Sequence, residues 1–312
     1  MKNIIGHEDM ISSFYNAIDL KTISHAHIFW GEDGIGKSVV SKSIAIKLIG
    51  KSENRDYVDI VEFKLKAGRL SIGVNEVREL IEEINKKPYE SDKKVVIIHN
   101  GDKMTTQAQN ALLKTIEEPP KNIFIIILCE ELNNILETIK SRCQIHKFIP
   151  LKDEEMLQYL QVFYPGLKEE NENFLLEFSR GIPGRVDMLL NDDEFNEIRD
   201  KVINIINTLD HLDIEDTFAL EEFFTSNVKR FEYIVDIMIS FLRDAIIYKE
   251  IGNKDLIINK DKFEEIKMCA SMFSFKQLND IISIINATRV NLDKNVNSAL
   301  AFNVMLLKLQ EV

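Results

Sequence analysis

Residues 31–38, Gly-Glu-Asp-Gly-Ile-Gly-Lys-Ser, have the composition and spacing of a loop that binds phosphate groups. In such a loop, backbone N–H groups turn towards the phosphate oxygens, and the amino terminus of the following helix adds partial positive charge. The lysine reaches the phosphates and the serine hydroxyl holds Mg²⁺. The predicted nucleotide-binding residues are therefore Gly31, Gly34, Gly36, Lys37 and Ser38. A glycine-rich turn that binds nothing is the alternative, and whether the loop is occupied is a separate question.

The carboxylates that a P-loop ATPase needs are missing from the strand expected beside this loop. Residues 95–98 form a continuous apolar run, typical of a buried parallel strand, and lead into His99 and Asn100. Histidine is a poor ligand for Mg²⁺, and a neutral amide cannot accept a proton from an attacking water. Asp102 follows, past the expected strand end. The sequence predicts that Mg-nucleotide is held weakly and not hydrolysed, with His99 making an ordinary hydrogen bond.

Two arginines at predicted element junctions could contact phosphates. Arg142 lies between a predicted amphipathic helix and a strand, and Arg185 follows Gly184. One interpretation of Arg142 is a surface salt bridge or a charge at a helix carboxyl terminus. The other is an arginine finger that enters the nucleotide site of another subunit and stabilises charge on the transferred phosphoryl group. Arg185 could face phosphates from a lid, or it could cap a helix.

Alternating strands and helices in the first half of the chain must position these residues. Apolar runs predict buried strands, and apolar residues at helical spacing predict the helices between them. The predicted strands cover residues 27–30, 95–98, 123–128 and 144–149, and the predicted helices cover 37–49, 74–84, 106–117 and 132–139. Such alternation is typical of an α/β fold with a parallel sheet and helices on both of its faces.

The second half contains almost no helix-breaking residues. After Gly184 it has one glycine, Gly252, and no proline, and its apolar residues recur at helical spacing. Three apolar helix faces are formed by residues 234, 235, 238, 241, 242, 245 and 246, by 278, 281, 282 and 285, and by 300, 304 and 307. We predict three domains: a P-loop sheet domain over 1–150, a small helical lid over 151–192 and an all-helical domain over 193–312.

Charge and composition disfavour several classes of protein. Residues 1–150 carry 21 basic and 21 acidic side chains, whereas residues 151–312 carry 18 and 30. The acidic half cannot gather DNA phosphates by itself, which disfavours a stand-alone DNA-binding module. The longest apolar run, residues 123–129, is too short for a membrane helix. The widely spaced cysteines 129, 143 and 269 fit neither a disulfide framework nor a zinc site and predict a cytosolic, cytoplasmic protein.

Three segments of the chain resemble the AAA+ clamp-loader family, whose members load the sliding clamp during DNA replication. They are residues 31–38, the run Ala-Gln-Asn-Ala-Leu-Leu-Lys-Thr-Ile-Glu-Glu-Pro-Pro at 108–120, and Ser-Arg-Cys at 141–143. Residues 295–300 also resemble the last helix of the family. The resemblance covers the whole length, most strongly residues 20–150. It implies an AAA+ P-loop domain, a small helical lid and an all-helical carboxyl-terminal collar domain.

This chain departs from the ATP-hydrolysing motor subunit of that family at three places. The motor has an Asp-Glu pair where this chain has His99 and Asn100, and Thr or Asn where it has Cys129. The motor also usually has a cysteine zinc site after its P-loop helix, whereas residues 40–128 contain no cysteine, so no zinc is expected. These departures favour a non-hydrolysing subunit, with the motor subunit as the alternative.

The resemblance also implies partners for this chain. Motor and delta subunits would form a ring with it, and Arg142 would act in trans on the ATP of the adjacent motor. The sliding clamp and primer-template DNA would be reached through that complex. ATP or ADP could occupy the loop with Mg²⁺ weakly held; no dedicated metal site and no membrane contact are expected, and the isolated chain would be a monomer. A competing hypothesis is an autonomous ATPase whose acid is Asp102.

Overall fold

The computed structural model describes residues 4–66, 68–167, 169–191, 193–209, 214–293 and 296–312. Contacts divide the chain into two compact units. The first comprises Met1–Tyr164 and Arg180–Gly184, and the second comprises Pro165–Ser179 and Arg185–Val312. The segment predicted as a lid, residues 151–192, contributes to both units, and the three-domain division stays a prediction.

A parallel sheet forms the centre of the first unit. Its strands are β1 (Ala26–Trp30), β2 (Ile60–Phe63), β3 (Lys94–Ile98), β4 (Ile123–Cys129) and β5 (Gln144–Lys147). They lie in the order β2-β3-β4-β1-β5, and each neighbouring pair is parallel. The predicted α/β class is therefore confirmed.

Helices cover both faces of this sheet. They are α1 (Glu8–Asp19), α2 (Lys37–Leu48), α3 (Val74–Ile84), α4 (Thr106–Glu117) and α5 (Glu137–Lys140). Helix α6 (Asp153–Phe163) follows β5. Local capping explains two of the helix starts: the Thr105 hydroxyl accepts from the backbone N–H of Ala108 at 3.2 Å, and the Glu76 carboxylate accepts from that of Gly73 at 2.8 Å. The bounds of α3 and α4 match the prediction.

The alternation of side chains along β3 gives the first unit two cores. Val95 and Ile97 are buried in the core formed with α1 and α2, whereas Val96 and Ile98 are buried in the core formed with α3 and α4. Successive side chains of a strand point to opposite faces, so a continuous apolar run is needed where both faces are covered. The apolar run at 95–98 therefore reflects a central strand.

One predicted helix of the first unit is wrong. Residues 132–139 form a 3₁₀ turn, Leu132–Asn134, followed by the short helix α5 rather than one continuous helix. The side chain of Gln109 explains the break, because it donates to the carbonyl of Asn134 at 2.8 Å and accepts from the N–H of Leu136 at 2.8 Å. A tertiary contact thus takes backbone groups that a helix would use. The sequence also missed α1 and the edge strand β2, and β5 ends at Lys147 instead of 149.

The described part of the second unit is helical, as predicted. Its helices are α7 (Glu169–Ser179), α8 (Pro183–Asn191, which begins in the first unit), α9 (Asp193–Asn207), α10 (Ile214–Ser226), α11 (Phe231–Ile251), α12 (Phe263–Met272), α13 (Phe275–Asp293) and α14 (Ser298–Gln310). The predicted apolar face of α11 is mostly buried, including Ile234, Met238 and Phe241. None of the helices in the described segments is both long and apolar enough to cross a bilayer.

The third predicted apolar face faces solvent. Leu300, Val304 and Leu307 of α14 are 58%, 40% and 57% exposed, whereas the adjacent face, with Phe302 and Met305, is buried. Helix α14 is apolar nearly all round, so spacing alone could not tell which side faces the core. Its exposed side is an apolar stripe on the surface of the second unit.

Candidate functional site

The phosphate-loop residues lie between β1 and α2, as the sequence predicts. The N–H of Gly31 donates to the carbonyl of Cys129 at 3.2 Å, which joins the loop to the end of β4. Gly36 precedes α2 with φ +107°, a conformation that L side chains rarely adopt. The N–H of Gly184 donates to the carbonyl of Gly34 at 3.0 Å and closes a second side of the loop. The loop and helix terminus therefore have the geometry of an anion site.

Lys37 is the cationic group of this loop and is only 8% exposed. Its ammonium donates to the loop's own carbonyls, Gly31 at 2.6 Å and Glu32 at 2.7 Å. Burial lowers the pKa of Lys37 below its ordinary value, against the opposing influence of Asp33 and other nearby acidic groups. Ser38, the next residue, is exposed. Binding of ATP or ADP by the loop stays a prediction.

The end of β3 carries no carboxylate directed at this loop from position 99 or 100. The His99 ring nitrogen Nε2 lies 3.2 Å from Glu62 Oε2 on the edge strand β2, which is the ordinary strand-end hydrogen bond expected from the sequence. Burial, together with the nearby Lys64 charge, lowers the pKa of His99. Asn100 has a left-handed backbone, φ +54°, and ends the strand. The His99 ring is therefore engaged with Glu62 on the edge strand.

Asp102 is the nearest acid that follows β3, and its burial was not foreseen. It lies in a 3₁₀ turn, Gly101–Lys103, and is 7% exposed. The turn can approach β4 because a Cβ at Gly101 would lie 2.3 Å from the Ile127 side chain. Asp102 acts electrostatically on Lys37. Burial of the Cys129 thiol raises its pKa to about 12, and the Asp102 charge is the next largest cause. The carboxylate thus lies in the neighbourhood of the phosphate loop.

Arg142 lies at the end of α5, just before β5. Its Nη2 pairs with the carboxylate of Glu117, the last residue of α4, and its Nη1 donates to the carbonyl of Thr138 at 2.9 Å. The side chain is 38% exposed. The salt bridge of the simpler interpretation is therefore present, and the guanidinium also remains accessible to a second partner.

Strand register separates Arg142 from the chain's own phosphate loop. β1 and β5 are parallel, with Gln144 level with His27 and Lys147 level with Trp30. The loop follows the carboxyl end of β1, whereas Arg142 precedes the amino end of β5. By that register they lie about six residue positions apart along the strand direction, roughly 20 Å at ~3.3 Å per residue.

Gln109 is a positioning residue that the sequence reasoning missed. It is 2% exposed, and its amide donates to the carbonyls of Met104 and Asn134 and accepts from the N–H of Leu136. These bonds fix the segment that leads into α5 and Arg142. A polar residue on the otherwise apolar face of α4 was the available signal, because buried polar groups are normally fully hydrogen-bonded.

Arg185 lies in the second unit, in α8. Its Nη1 is 3.4 Å from Asp236 Oδ2 of α11, and its guanidinium lies 5.7 Å from the centre of the Tyr233 ring. The predicted contact of Arg185 with phosphates stays a prediction. Within the described ranges, no group of three or more His, Cys, Asp and Glu side chains is arranged to hold a metal ion.

Comparisons with known proteins identify the family. The model described as "DNA polymerase III, delta subunit" matches residues 6–152, and that described as "DNA polymerase III, delta subunit, C terminal" matches residues 193–311. The DNA polymerase III subunit delta' of Bacillus subtilis is 29% identical, over 95% of this chain and 94% of that protein. The gamma/tau subunit of Mycoplasma genitalium is 28% identical, over 84% of this chain and 49% of that protein.

A solved structure shares the fold over nearly the whole length. A DNA polymerase III gamma subunit-related protein from Thermotoga maritima covers 96% of this chain and 98% of its own length, with a TM-score of 0.52 and 18% sequence identity. Both family models, which lie on either side of residues 153–192, point to one protein class. The chain belongs to the DNA polymerase III delta-subunit family and is an AAA+ clamp-loader subunit of the DNA replication machinery.

Proposed function

We propose that this chain is a non-hydrolysing clamp-loader subunit of the delta-prime type, which supplies Arg142 as an arginine finger to a neighbouring ATPase subunit. The observation that carries the proposal is the position of Arg142 relative to the chain's own phosphate loop. The two regions lie at opposite ends of the neighbouring strands β1 and β5, because these strands are parallel, the loop follows the carboxyl end of β1 and Arg142 precedes the amino end of β5. A guanidinium roughly 20 Å from its own loop is suited to a nucleotide held by another chain.

An exposed guanidinium can stabilise a phosphoryl group in transit. Arginine stays charged and presents its N–H donors in a planar fork that matches phosphate oxygens. In the neighbouring site these donors would contact the oxygens of the γ-phosphoryl group, which carry negative charge as its bond to the leaving group breaks. A finger of this kind is worth ~10³–10⁵ in rate. Hydrolysis would then depend on correct assembly of the ring.

The end of β3 supports the absence of hydrolysis in this chain. Asn100 is a neutral amide, and the ring of His99 is held by Glu62 at 3.2 Å. Neither side chain can serve as the carboxylate that orients water beside a P-loop. ATP or ADP would occupy the loop through Gly31, Gly34, Gly36, Lys37 and Ser38 as a bound ligand, with Mg²⁺ weakly held.

The implied partners are other subunits of the polymerase complex in the cytoplasm. Motor and delta subunits would contact this chain directly, and the sliding clamp and primer-template DNA would be reached through the complex. The apolar stripe of α14, formed by Leu300, Val304 and Leu307, supports a subunit contact in the second unit. The acidic carboxyl-terminal half supports indirect rather than independent DNA binding.

The test is clamp-dependent ATP hydrolysis by the reconstituted complex. Replacing Arg142 by alanine should slow hydrolysis by at least about 10³-fold while the complex still assembles, because the finger acts on the transition state. Arg55→Ala is the matched control, since Arg55 is an exposed arginine of the same unit paired with Glu53. Arg142→Ala with an unchanged rate would contradict the proposal.

The alternative is an ATP-hydrolysing motor subunit, and it is tested on the isolated chain. Turnover by the purified protein should not exceed background. Brisk turnover that Lys37→Ala abolishes would establish the alternative instead. Sedimentation of the isolated chain should give a monomer. A tight homo-oligomer would count against a place in a ring of different subunits.

A further inference from the structure

Asp102 differs from the other strongly buried carboxylates whose contacts the structure describes. Asp59 accepts from the backbone N–H groups of Tyr89, Glu90 and Ser91, and Asp244 accepts three hydrogen bonds from Ile258 and Asn259. Neither oxygen of Asp102 has a hydrogen-bond partner among the described residues. A buried carboxylate without a partner is costly, so a missing group is expected to satisfy it.

The surroundings of Asp102 indicate where that group would lie. A Cβ at Gly101, the residue before Asp102, would lie 3.4 Å from the carbonyl oxygen of Leu128, which precedes Cys129 at the end of β4. Asp102 also acts electrostatically on Cys129 and on Lys37 of the phosphate loop. The carbonyl of Cys129 accepts from the N–H of Gly31, the first residue of the loop. Asp102 therefore lies beside the place where bound phosphates would meet the ends of the central strands.

The chemistry of the site favours a divalent cation that arrives with a nucleotide. Mg²⁺ typically keeps several waters and takes one or two carboxylates together with phosphate oxygens, rather than an all-protein cage. No three acidic or histidine side chains of the described segments form such a cage. A single orphan carboxylate beside a phosphate loop meets that requirement, whereas His99 is already held by Glu62.

We propose that Asp102 replaces the missing strand-end acids as the carboxylate partner of a nucleotide-bound divalent cation, directly or through its water shell. This inference rests on nucleotide binding by the loop in the proposed function. It changes one expectation from the sequence, because Mg²⁺ would strengthen nucleotide binding although the chain does not hydrolyse ATP. Asp102 holds the cation and does not activate water, so occupancy and turnover are separated.

The experiment is calorimetric titration of the full chain with ADP, in MgCl₂ or in EDTA. For the natural protein, Mg²⁺ should tighten binding by about 10-fold or more, which corresponds to ~1.4 kcal/mol. Asp102→Asn keeps the shape of the side chain and should remove this difference while leaving the affinity in EDTA unchanged. Asp92→Asn, at an exposed acid of the same unit, is the matched control and should keep the full difference.

Two further readouts keep the inference testable without relying on one variant. Paramagnetic resonance of Mn²⁺ should show the ion immobilised by the natural protein only when ADP is present. Without ligand, Asp102→Asn should raise the melting temperature by about 2 °C or more, because a neutral amide replaces a buried carboxylate that accepts no hydrogen bond. A structural carboxylate with a hidden partner would give a lower melting temperature and would overturn the inference.

The remaining outcomes of the titration also test the role of Asp102. Equal affinity in MgCl₂ and EDTA, or a Mg²⁺ effect that survives Asp102→Asn, would overturn the role of Asp102. No ADP binding under either condition would overturn the inference as well. Neither result touches the arginine-finger proposal, which is tested by Arg142→Ala in the reconstituted complex.

Discussion

The phosphate loop and the Arg142 junction flank the same pair of strands but differ in how their charges are held. The ammonium of Lys37 is 8% exposed and bonds to two carbonyls of its own loop. The guanidinium of Arg142 is 38% exposed and is held by Glu117 and one backbone carbonyl. The Lys37 ammonium is therefore buried and bonded within its own loop, whereas the Arg142 guanidinium is accessible at the surface.

Under the proposed function, the strongest motif in the sequence does not carry the reaction. The phosphate loop is the clearest pattern in the sequence, yet its neighbouring strand ends in His99 and Asn100. Arg142 stands in a three-residue motif of little specificity by itself, yet its place at the opposite end of these strands supports the proposed action on another chain. Local geometry, rather than motif length, separates the two proposed roles.

The largest expected effect is that Lys37 and Arg142 matter in different assays, Lys37 for ADP binding by the isolated chain and Arg142 for clamp loading by the complex. Lys37→Ala should weaken ADP binding by the isolated chain by about 10²-fold or more, because a charged contact to phosphates is lost. The rate of clamp loading by the complex should stay within about threefold of that of the natural protein. Arg142→Ala should instead slow clamp loading and leave ADP binding unchanged. Equilibrium titration and a clamp-loading assay, run on both variants, measure the two effects. Parallel losses in both assays would break the comparison.

A second expected effect concerns the strand pair that connects the two regions. The ring nitrogens of His27 in β1 and His146 in β5 lie 3.2 Å apart, and His27 Nε2 donates to the carbonyl of Ser24 at 2.9 Å. Burial, followed by the neighbouring His146, lowers the pKa of His27 to about 4. An unfolded histidine has a pKa near 6.5, so only the unfolded state binds the proton between about pH 6.5 and pH 4.

The contribution of His27 to the free energy of unfolding should therefore be fully present above about pH 6.5. It should fall by on the order of 3 kcal/mol as the pH decreases from there to about pH 4. Denaturant unfolding at a series of pH values measures the slope. His27→Gln, which cannot titrate, should be less stable at neutral pH but should lose most of the slope. An unchanged slope in that variant would show that other groups carry it.

The smallest expected effect concerns Glu117. Glu117→Gln removes the carboxylate partner of Arg142, and both side chains are substantially exposed. Exposed ion pairs contribute ~0–1 kcal/mol, so the change in unfolding free energy should stay within that range. The rate of the complex should change by no more than about fivefold, because the Thr138 carbonyl still holds the guanidinium. A loss as large as that of Arg142→Ala would make Glu117 essential to the finger.

The sequence predicts best where local signals and tertiary packing agree. The bounds of α3 and α4 follow from apolar periodicity, and α4 stops before Pro119. The phosphate loop is also predicted, because its spacing and flanking elements occur together. The continuous helix over 132–139 fails because Gln109, distant in sequence, takes the backbone groups of the segment.

Burial of single polar groups was beyond reach of the sequence. Nothing near Asp102 indicates that the turn presses against β4, since that depends on the fit of Gly101 to Ile127. The solvent-facing side of α14 could not be predicted from the sequence either, because a helix that is apolar nearly all round has no unique core face. Both features arise from how elements meet, which periodicity along one element does not encode.

The opposite placement of the loop and Arg142 also gives the molecule a polarity. Under the proposed function, the Arg142 surface of this chain contacts the phosphate-loop surface of a different chain. Such a contact is head-to-tail, so a subunit has a different neighbour on each side, and the assembly closes into a ring only where the rotation between neighbours closes.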